Sequence, residues 1–191
     1  MPSPGSLRSG KLREKAQLMS ASEIERTLVR LAHQIVEKNN GVADLALVGI
    51  QRRGVPLARR LAVLLRQIEK QEVPVGTLDA VAYRDDLSPA APRPAAAKND
   101  FGFDVTGKNI ILVDDVLYTG RTTRAAMEAL FAHGRPRRVQ LCVLLDRGHR
   151  ELPIDAAFVG RVVNTTGREF IDVRLQETDK TEKVLLVEKL E

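Results

Sequence analysis

Cysteine is nearly missing from this chain. Cys142 stands alone, so no disulfide can form within the chain, and its place in the apolar run VQLCVLL favours a small buried side chain over a metal ligand or a nucleophile. A lone thiol also fits a reducing compartment. Long hydrophobic runs are lacking as well. No stretch approaches the roughly 18 consecutive apolar residues that a membrane-spanning helix requires, and the N-terminal MPSPGSLRSGKLREKAQ has no apolar centre like that of a signal peptide. The expectation is a soluble, cytoplasmic protein with no membrane attachment. Two phosphate-binding patterns, GxxxxGK[ST] and GxGxxG, are also absent, which argues against a P-loop nucleotide site and a dinucleotide site.

What is present suffices for one core: 191 residues, 43% hydrophobic and 29% charged. One domain is expected over 20–191, preceded by a flexible basic tail over 1–19, where Ser, Pro and Gly recur without apolar periodicity. The formal charge of +5 is unevenly spread. Arg8, Lys11, Arg13 and Lys15 against Glu14 give the tail more than half of it. In the window 121–150, Arg121, Arg124, Arg135, Arg137, Arg138, Arg147 and Arg150 face only Glu128 and Asp146. Folded onto one face, they would make an anion-binding surface.

Along the chain, SASEIERTLVRLAHQIVEKNNG offers Ser22 as a helix N-cap with Glu25 three residues on, Ile24, Leu28, Leu31 and Ile35 at helical spacing, and Asn40-Gly41 as a stop. Residues 45–50 form an apolar run suited to a strand covered on both faces, and GVPLARRLAVLLRQI opens a helix with Pro56 in its first turn. TLDAVAY suits a strand. Residues 110–113 form another, leading through a polar loop into a helix over about 121–132, and 138–145 a further buried strand. FIDVRLQ and KVLLVEK read as late strands of a small hairpin. This alternation predicts an α/β fold, a mainly parallel central sheet with helices on both faces, whose ligands bind at the carboxyl ends of the strands. The loops QRRG and DDVLYTG would lie there. The segment 84–104 is rich in Pro and Ala and too long for a passive connection, and is read as a mobile lid.

The loop DDVLYTGRT carries the chemistry. After the strand come Asp114 and Asp115, then Val116, Leu117 and Tyr118, then Thr119, Gly120, Arg121, Thr122 and Thr123 across a helix start. Backbone N–H groups at that start, threonine hydroxyls, a glycine allowing close approach and an arginine together suit a phosphate monoester. The two carboxylates suit vicinal sugar hydroxyls or hydrated magnesium. Taken alone, an Asp-Asp pair after a strand is equally a solvated turn. Joined to TGRTT, it resembles the signature of type I phosphoribosyltransferases.

Five blocks narrow the resemblance: LVGIQRRGVPLARRLA, YRDDLS, VDDVLYTGRT, GRPRRVQL and LLDRGHRELPI. Over 21–160 they are similar, in order and spacing, to the PyrR family of bifunctional pyrimidine-operon regulators and uracil phosphoribosyltransferases. The resemblance implies a pentosyltransferase that converts uracil and phosphoribosyl pyrophosphate, with Mg2+, into UMP and pyrophosphate. It also implies UMP-dependent binding to pyrimidine mRNA leaders (transcription attenuation) and a homodimer or higher homo-oligomer. Asp114 and Asp115 would hold the ribose hydroxyls and residues 119–123 the 5′-phosphate. Arg52, Arg53 and Gly54 would face pyrophosphate, and Arg84, with Asp85 and Asp86, would close over it. Arg147 would line the base pocket, or pair with Asp146 or Glu151. Purine enzymes of this kind carry an aspartate where Tyr118 stands, and a neutral phenol cannot supply that carboxylate, which favours uracil. His33 and Arg150, with Arg137 and Arg138, match an RNA face; His33 reads equally as a partly buried helix residue. Val29, Asp155 and the segment NTTGRE depart from the family's pattern. A purine or xanthine phosphoribosyltransferase, or an attenuator with little enzymatic activity, stand as alternatives.

Overall fold

The computed structural model describes residues 12–84 and 99–190. Strand β1 (Leu12–Ser20) leads into helix α1 (Ala21–Asn39), followed by β2 (Leu45–Ile50), α2 (Gly54–Glu69), β3 (Val75–Leu78), β4 (Asn109–Leu117), α3 (Arg121–Phe131), β5 (Arg138–Asp146), β6 (Phe158–Val162), β7 (Glu169–Arg174), the short α4 (Gln176–Asp179) and β8 (Lys183–Lys189). Five strands form a parallel sheet in the order β3-β2-β4-β5-β6. The others form an antiparallel sheet in the order β1-β8-β7. The lid expected over 84–104 falls largely on residues 85–98, outside the described residues, as do Asp85, Asp86 and the first 11 residues of the expected tail.

Side-chain alternation along buried strands sends successive residues to opposite faces. Leu45, Leu47, Ile111 and Val113 therefore meet Ile24, Leu28, Leu31 and Ile35 of α1 and Leu57, Leu61 and Leu65 of α2. Ala46, Val48, Ile110 and Leu112 meet Ala125, Ala126, Ala129 and Leu130 of α3 on the other face. The small sheet closes the first core with Met19, Val173 and Val184. Cys142 is buried there, and burial pushes its thiol up to about 12, so it stays protonated and inert.

Three sequence expectations change. Residues 12–19 are not tail: with Ser20 they pair with β8, and Arg13–Glu188 and Lys15–Glu169 ion pairs cross that sheet. Nearly all of β1 is exposed and only Met19 is buried, so no apolar period marked it. Helix α1 is capped by Ser20 rather than Ser22, in a capping box where Glu23 reaches back to the Ser20 N–H at 2.8 Å. Both serines fit the S-x-x-E pattern; β1 delivers the chain at the first. Finally, TLDAVAY is strand only as far as Leu78, because the Asp79 carboxylate accepts the Val81 N–H at 2.9 Å and starts a 3-10 turn over Val81–Tyr83.

Helices α2 and α3 leave the sheet on opposite faces, and their strands lead in opposite directions along it, so the order reverses between β2 and β4. In open α/β sheets the carboxyl ends of the strands at such a reversal form a natural crevice.

Candidate active site

Strand β4 runs on past its neighbour: pairing with β2 stops at Gly49↔Val113, whereas pairing with β5 continues through Asp114↔Val143 to Leu117↔Asp146. The acidic pair thus belongs to the strand and not, as the sequence suggested, to a loop after it. The side of β4 that β2 leaves free is filled by the start of α2. A Cβ on Gly54 would lie 2.2 Å from the Val113 carbonyl oxygen, so only glycine lets the 51–54 turn sit against the acids. That turn holds Arg52, after a cis Gln51–Arg52 peptide, and Arg53.

Asp114 is buried, and burial, reinforced by the neighbouring charge of Asp115, holds its carboxyl well above the usual carboxylate range. Its Oδ1 accepts the Asp115 N–H at 2.9 Å, and Asp115 Oδ1 accepts the Val116 N–H at 2.8 Å. The strand backbone orients both groups. Immediately downstream, Val116, Leu117, Tyr118, Thr119, Gly120, Arg121, Thr122 and Thr123 line a cavity of about 330 Å3 together with Arg84 and Glu151. Gly120 precedes α3 at φ +91 and has no side chain to cap it, and among the described side chains only Thr119 Oγ1 accepts a hydrogen bond at that helix start, from the Arg121 N–H at 3.3 Å. Its N–H groups and positive dipole end therefore open onto the cavity, an arrangement that favours an anion.

Other predicted residues are placed differently. Arg53 is turned toward α4, giving Asp179 two bonds at 3.1 and 2.8 Å. Arg147 is buried beneath Tyr118, its guanidinium 3.9 Å from the ring centroid. It donates to Thr165 Oγ1 and to the carbonyls of Thr166 and Glu169 at 3.1, 3.4 and 2.7 Å, and burial lowers its pKa, opposed by Tyr118 and Glu169. It pairs with neither of the acids that sequence proximity offered. Asp146 pairs with Arg150 at 2.5 Å and Glu151 with Arg121 at 2.6 Å. The remaining donors of Arg150 reach the carbonyls of Ile154, Tyr118 and Gly148, so this residue staples the 147–154 loop to the cavity wall.

The window of seven arginines does not make one face. Arg121, Arg147 and Arg150 lie at the carboxyl edge of the sheet, whereas Arg135, Arg137 and Arg138 stand exposed at its amino edge, where β5 begins. Eight residue steps of strand separate the two groups by roughly 26 Å. Arg137 lies 3.6 Å from Asp44. His33 is exposed on α1, not partly buried, as are Val29 and Asp155. Two contributors escaped the sequence reading as site residues: Glu151, which lines the cavity, and Asp179, which holds Arg53. The first lies within the block LLDRGHRELPI and had a signal; the second, 126 residues from its partner, had none.

Residues 15–178 match the family model described as a phosphoribosyl transferase domain. The chain is 54% identical to the bifunctional protein PyrR of Pelotomaculum thermopropionicum over 94% of its own length and 99% of that protein's. It is 55% identical to the bifunctional protein PyrR of Thermus aquaticus, with 93% and 98% covered. Its fold superposes on a hypoxanthine-guanine phosphoribosyltransferase of Bacillus anthracis with a TM-score of 0.66, 21% identity and coverage of 93% and 99%.

Proposed function

The chain belongs to the phosphoribosyl transferase family and, within it, to the bifunctional PyrR proteins, and from that premise we propose that it makes UMP from uracil and phosphoribosyl pyrophosphate and binds pyrimidine leader RNA in response to UMP. The observation that carries the enzymatic reading is the continuous run 114–123: two oriented carboxylates at a strand end, then a glycine-led helix start lining a cavity. The 5′-phosphate sits at the N–H groups and hydroxyls of 119–123, and the ribose hydroxyls donate to Asp114 and Asp115. The pyrophosphate lies toward the 51–54 turn and Arg84.

The bond from uracil N1 to C1′ forms as the C1′–oxygen bond to pyrophosphate breaks, and the N1 proton is released. The transition state has oxocarbenium character, so the task of the protein is to hold C1′ and N1 in line and to stabilise the departing charge. Tyr118, whose ring stacks on Arg147, offers no carboxylate to a purine ring. This favours uracil over a purine.

Magnesium fits this arrangement as a companion of the donor. Among the described residues no group of three or more His, Cys, Asp or Glu forms a metal cage. One or two carboxylates beside a substrate pyrophosphate are the usual magnesium environment. Asp114 and Asp115 are the residues to hold it, and when bound it offsets the charge of the leaving group.

Purified protein with uracil, phosphoribosyl pyrophosphate and Mg2+ is expected to form UMP and pyrophosphate, and to leave hypoxanthine and guanine unchanged. Purine turnover without UMP formation overturns the substrate assignment. For the regulatory reading, affinity for the organism's pyrimidine leader RNA is expected to rise with UMP and to fall with salt, with log K linear in log salt. An interaction insensitive to both counts against it.

A further inference from the structure

The turn between β7 and β8 is acidic and is docked on the first two turns of α2. Asp179 there holds the Arg53 guanidinium through both carboxylate oxygens, Nε at 3.1 Å and Nη2 at 2.8 Å. The carboxylate is itself fixed, since Oδ2 also accepts the Leu175 N–H at 3.0 Å and the Thr178 hydroxyl at 2.6 Å. Seven residues along α2, Arg60 takes Glu177 and Glu182 together, with contacts from 2.5 to 2.9 Å. The N-cap arginine of α2 and an arginine two turns into it are thus clamped by three carboxylates from a segment more than 110 residues away. A bidentate arginine–carboxylate pair fixes direction as well as distance. Arg53 is the residue before Gly54, whose backbone rests on Val113, so whatever fixes Arg53 also fixes the 51–54 turn against Asp114 and Asp115.

We propose that Asp179 is a positioning residue for the pyrophosphate end of the donor site: it draws the Arg53 side chain toward α4 as an anchor and so presents Arg52 and the turn's backbone to the donor. The inference rests on the phosphoribosyltransferase reading and deepens it. Asp115 lies in the same field, since it and Asp179 both raise the Arg53 pKa, with the Asp179 hydrogen bonds the larger cause. Releasing Arg53 therefore lets it swing toward Asp115 and disturb the ribose contacts.

The test compares Asp179→Asn with Asp179→Glu and Arg60→Gln in the full chain. Asp179→Asn keeps an acceptor for Leu175 but loses the charge; its KM for phosphoribosyl pyrophosphate is expected to rise about tenfold, with kcat and the KM for uracil changed less than about twofold. Asp179→Glu recovers part of the loss. Arg60→Gln, which breaks the second clamp without touching Arg53, lowers the melting temperature but leaves that KM in place. An unchanged KM in Asp179→Asn overturns the proposal, and a lowered one shows that Asp179 merely competes with pyrophosphate and overturns it too. Titration of wild type and Asp179→Asn with phosphoribosyl pyrophosphate and Mg2+, without uracil, separates the two levels. If the wild type binds the donor but makes no UMP, the uracil reading fails while the affinity ratio still decides the role of Asp179. If the wild type binds no donor, both fail.

Discussion

Asp114→Asn is expected to make the free protein more stable and the enzyme about 10- to 100-fold less efficient. The buried Asp114 carboxyl is held well above its ordinary range, by burial first and by Asp115 second. Between its unfolded and folded pKa the folded state binds the extra proton. Stability is therefore lost as pH rises through that interval, and the loss is complete above the folded pKa. Asparagine keeps an oxygen for the Asp115 N–H and carries no charge to desolvate. The variant and the wild type should melt together below about pH 4. At neutral pH the variant should melt higher by on the order of 2–4 °C, the shift given by about 1 kcal/mol in a chain of this size. Catalysis moves the other way. A hydrogen bond to a charged acceptor is worth about 1.5–3 kcal/mol, so kcat/KM should fall about 10- to 100-fold. Thermal melting with and without phosphoribosyl pyrophosphate and Mg2+ reads both effects: about 100-fold saturation stabilises the wild type by about 2.7 kcal/mol, and the variant should gain far less. A variant that melts lower than wild type at neutral pH, or keeps its full ligand-induced shift, refutes the assignment.

Gly54→Ala is expected to damage fold and site together. The added Cβ would stand 2.2 Å from the Val113 carbonyl oxygen, 3.1 Å from its carbon and 3.3 Å from Asp114 Cα. All three are main-chain atoms of a strand paired on both sides at Val113, so no side chain can rotate away. Overpacking of this kind costs about 3 kcal/mol, the upper end of the usual range, because either α2 or the end of β4 must shift. That is a fall of about 6–12 °C in melting temperature. A displacement near 1 Å between the 51–54 turn and the acidic pair would cost about 100-fold in turnover as well. Gly167→Ala serves as the control, since nothing lies within 4 Å of its added Cβ. If Gly54→Ala melts and turns over like that control, the close approach of turn and strand is not what builds the site.

Much of the site could be read from sequence because it is contiguous. The acidic pair, Tyr118 and TGRTT fall on one strand end and the helix that follows, where local pattern and chemistry coincide. The helices were legible for a similar reason, since α1 repeats Ile24, Leu28, Leu31 and Ile35 on one face. Strand β1 was not, because an exposed strand held by main-chain bonds and ion pairs leaves no apolar alternation. The choice between Ser20 and Ser22 as the cap was undecidable locally, as both precede a glutamate by three residues.

The sequence by itself therefore determined the parallel α/β plan and the candidate run 114–123, with its acidic pair, Tyr118 and TGRTT, all of which depend on neighbours within a few residues. Tertiary structure alone decided how the charges are used. It split the seven arginines between opposite edges of the sheet, buried Arg147 under Tyr118, gave Arg150 to the loop beside the cavity and handed Arg53 to Asp179. The reason is physical. Apolar periodicity is a local property of the chain, whereas a guanidinium on a long flexible stem takes whichever carboxylate or carbonyl the fold brings within about 3 Å.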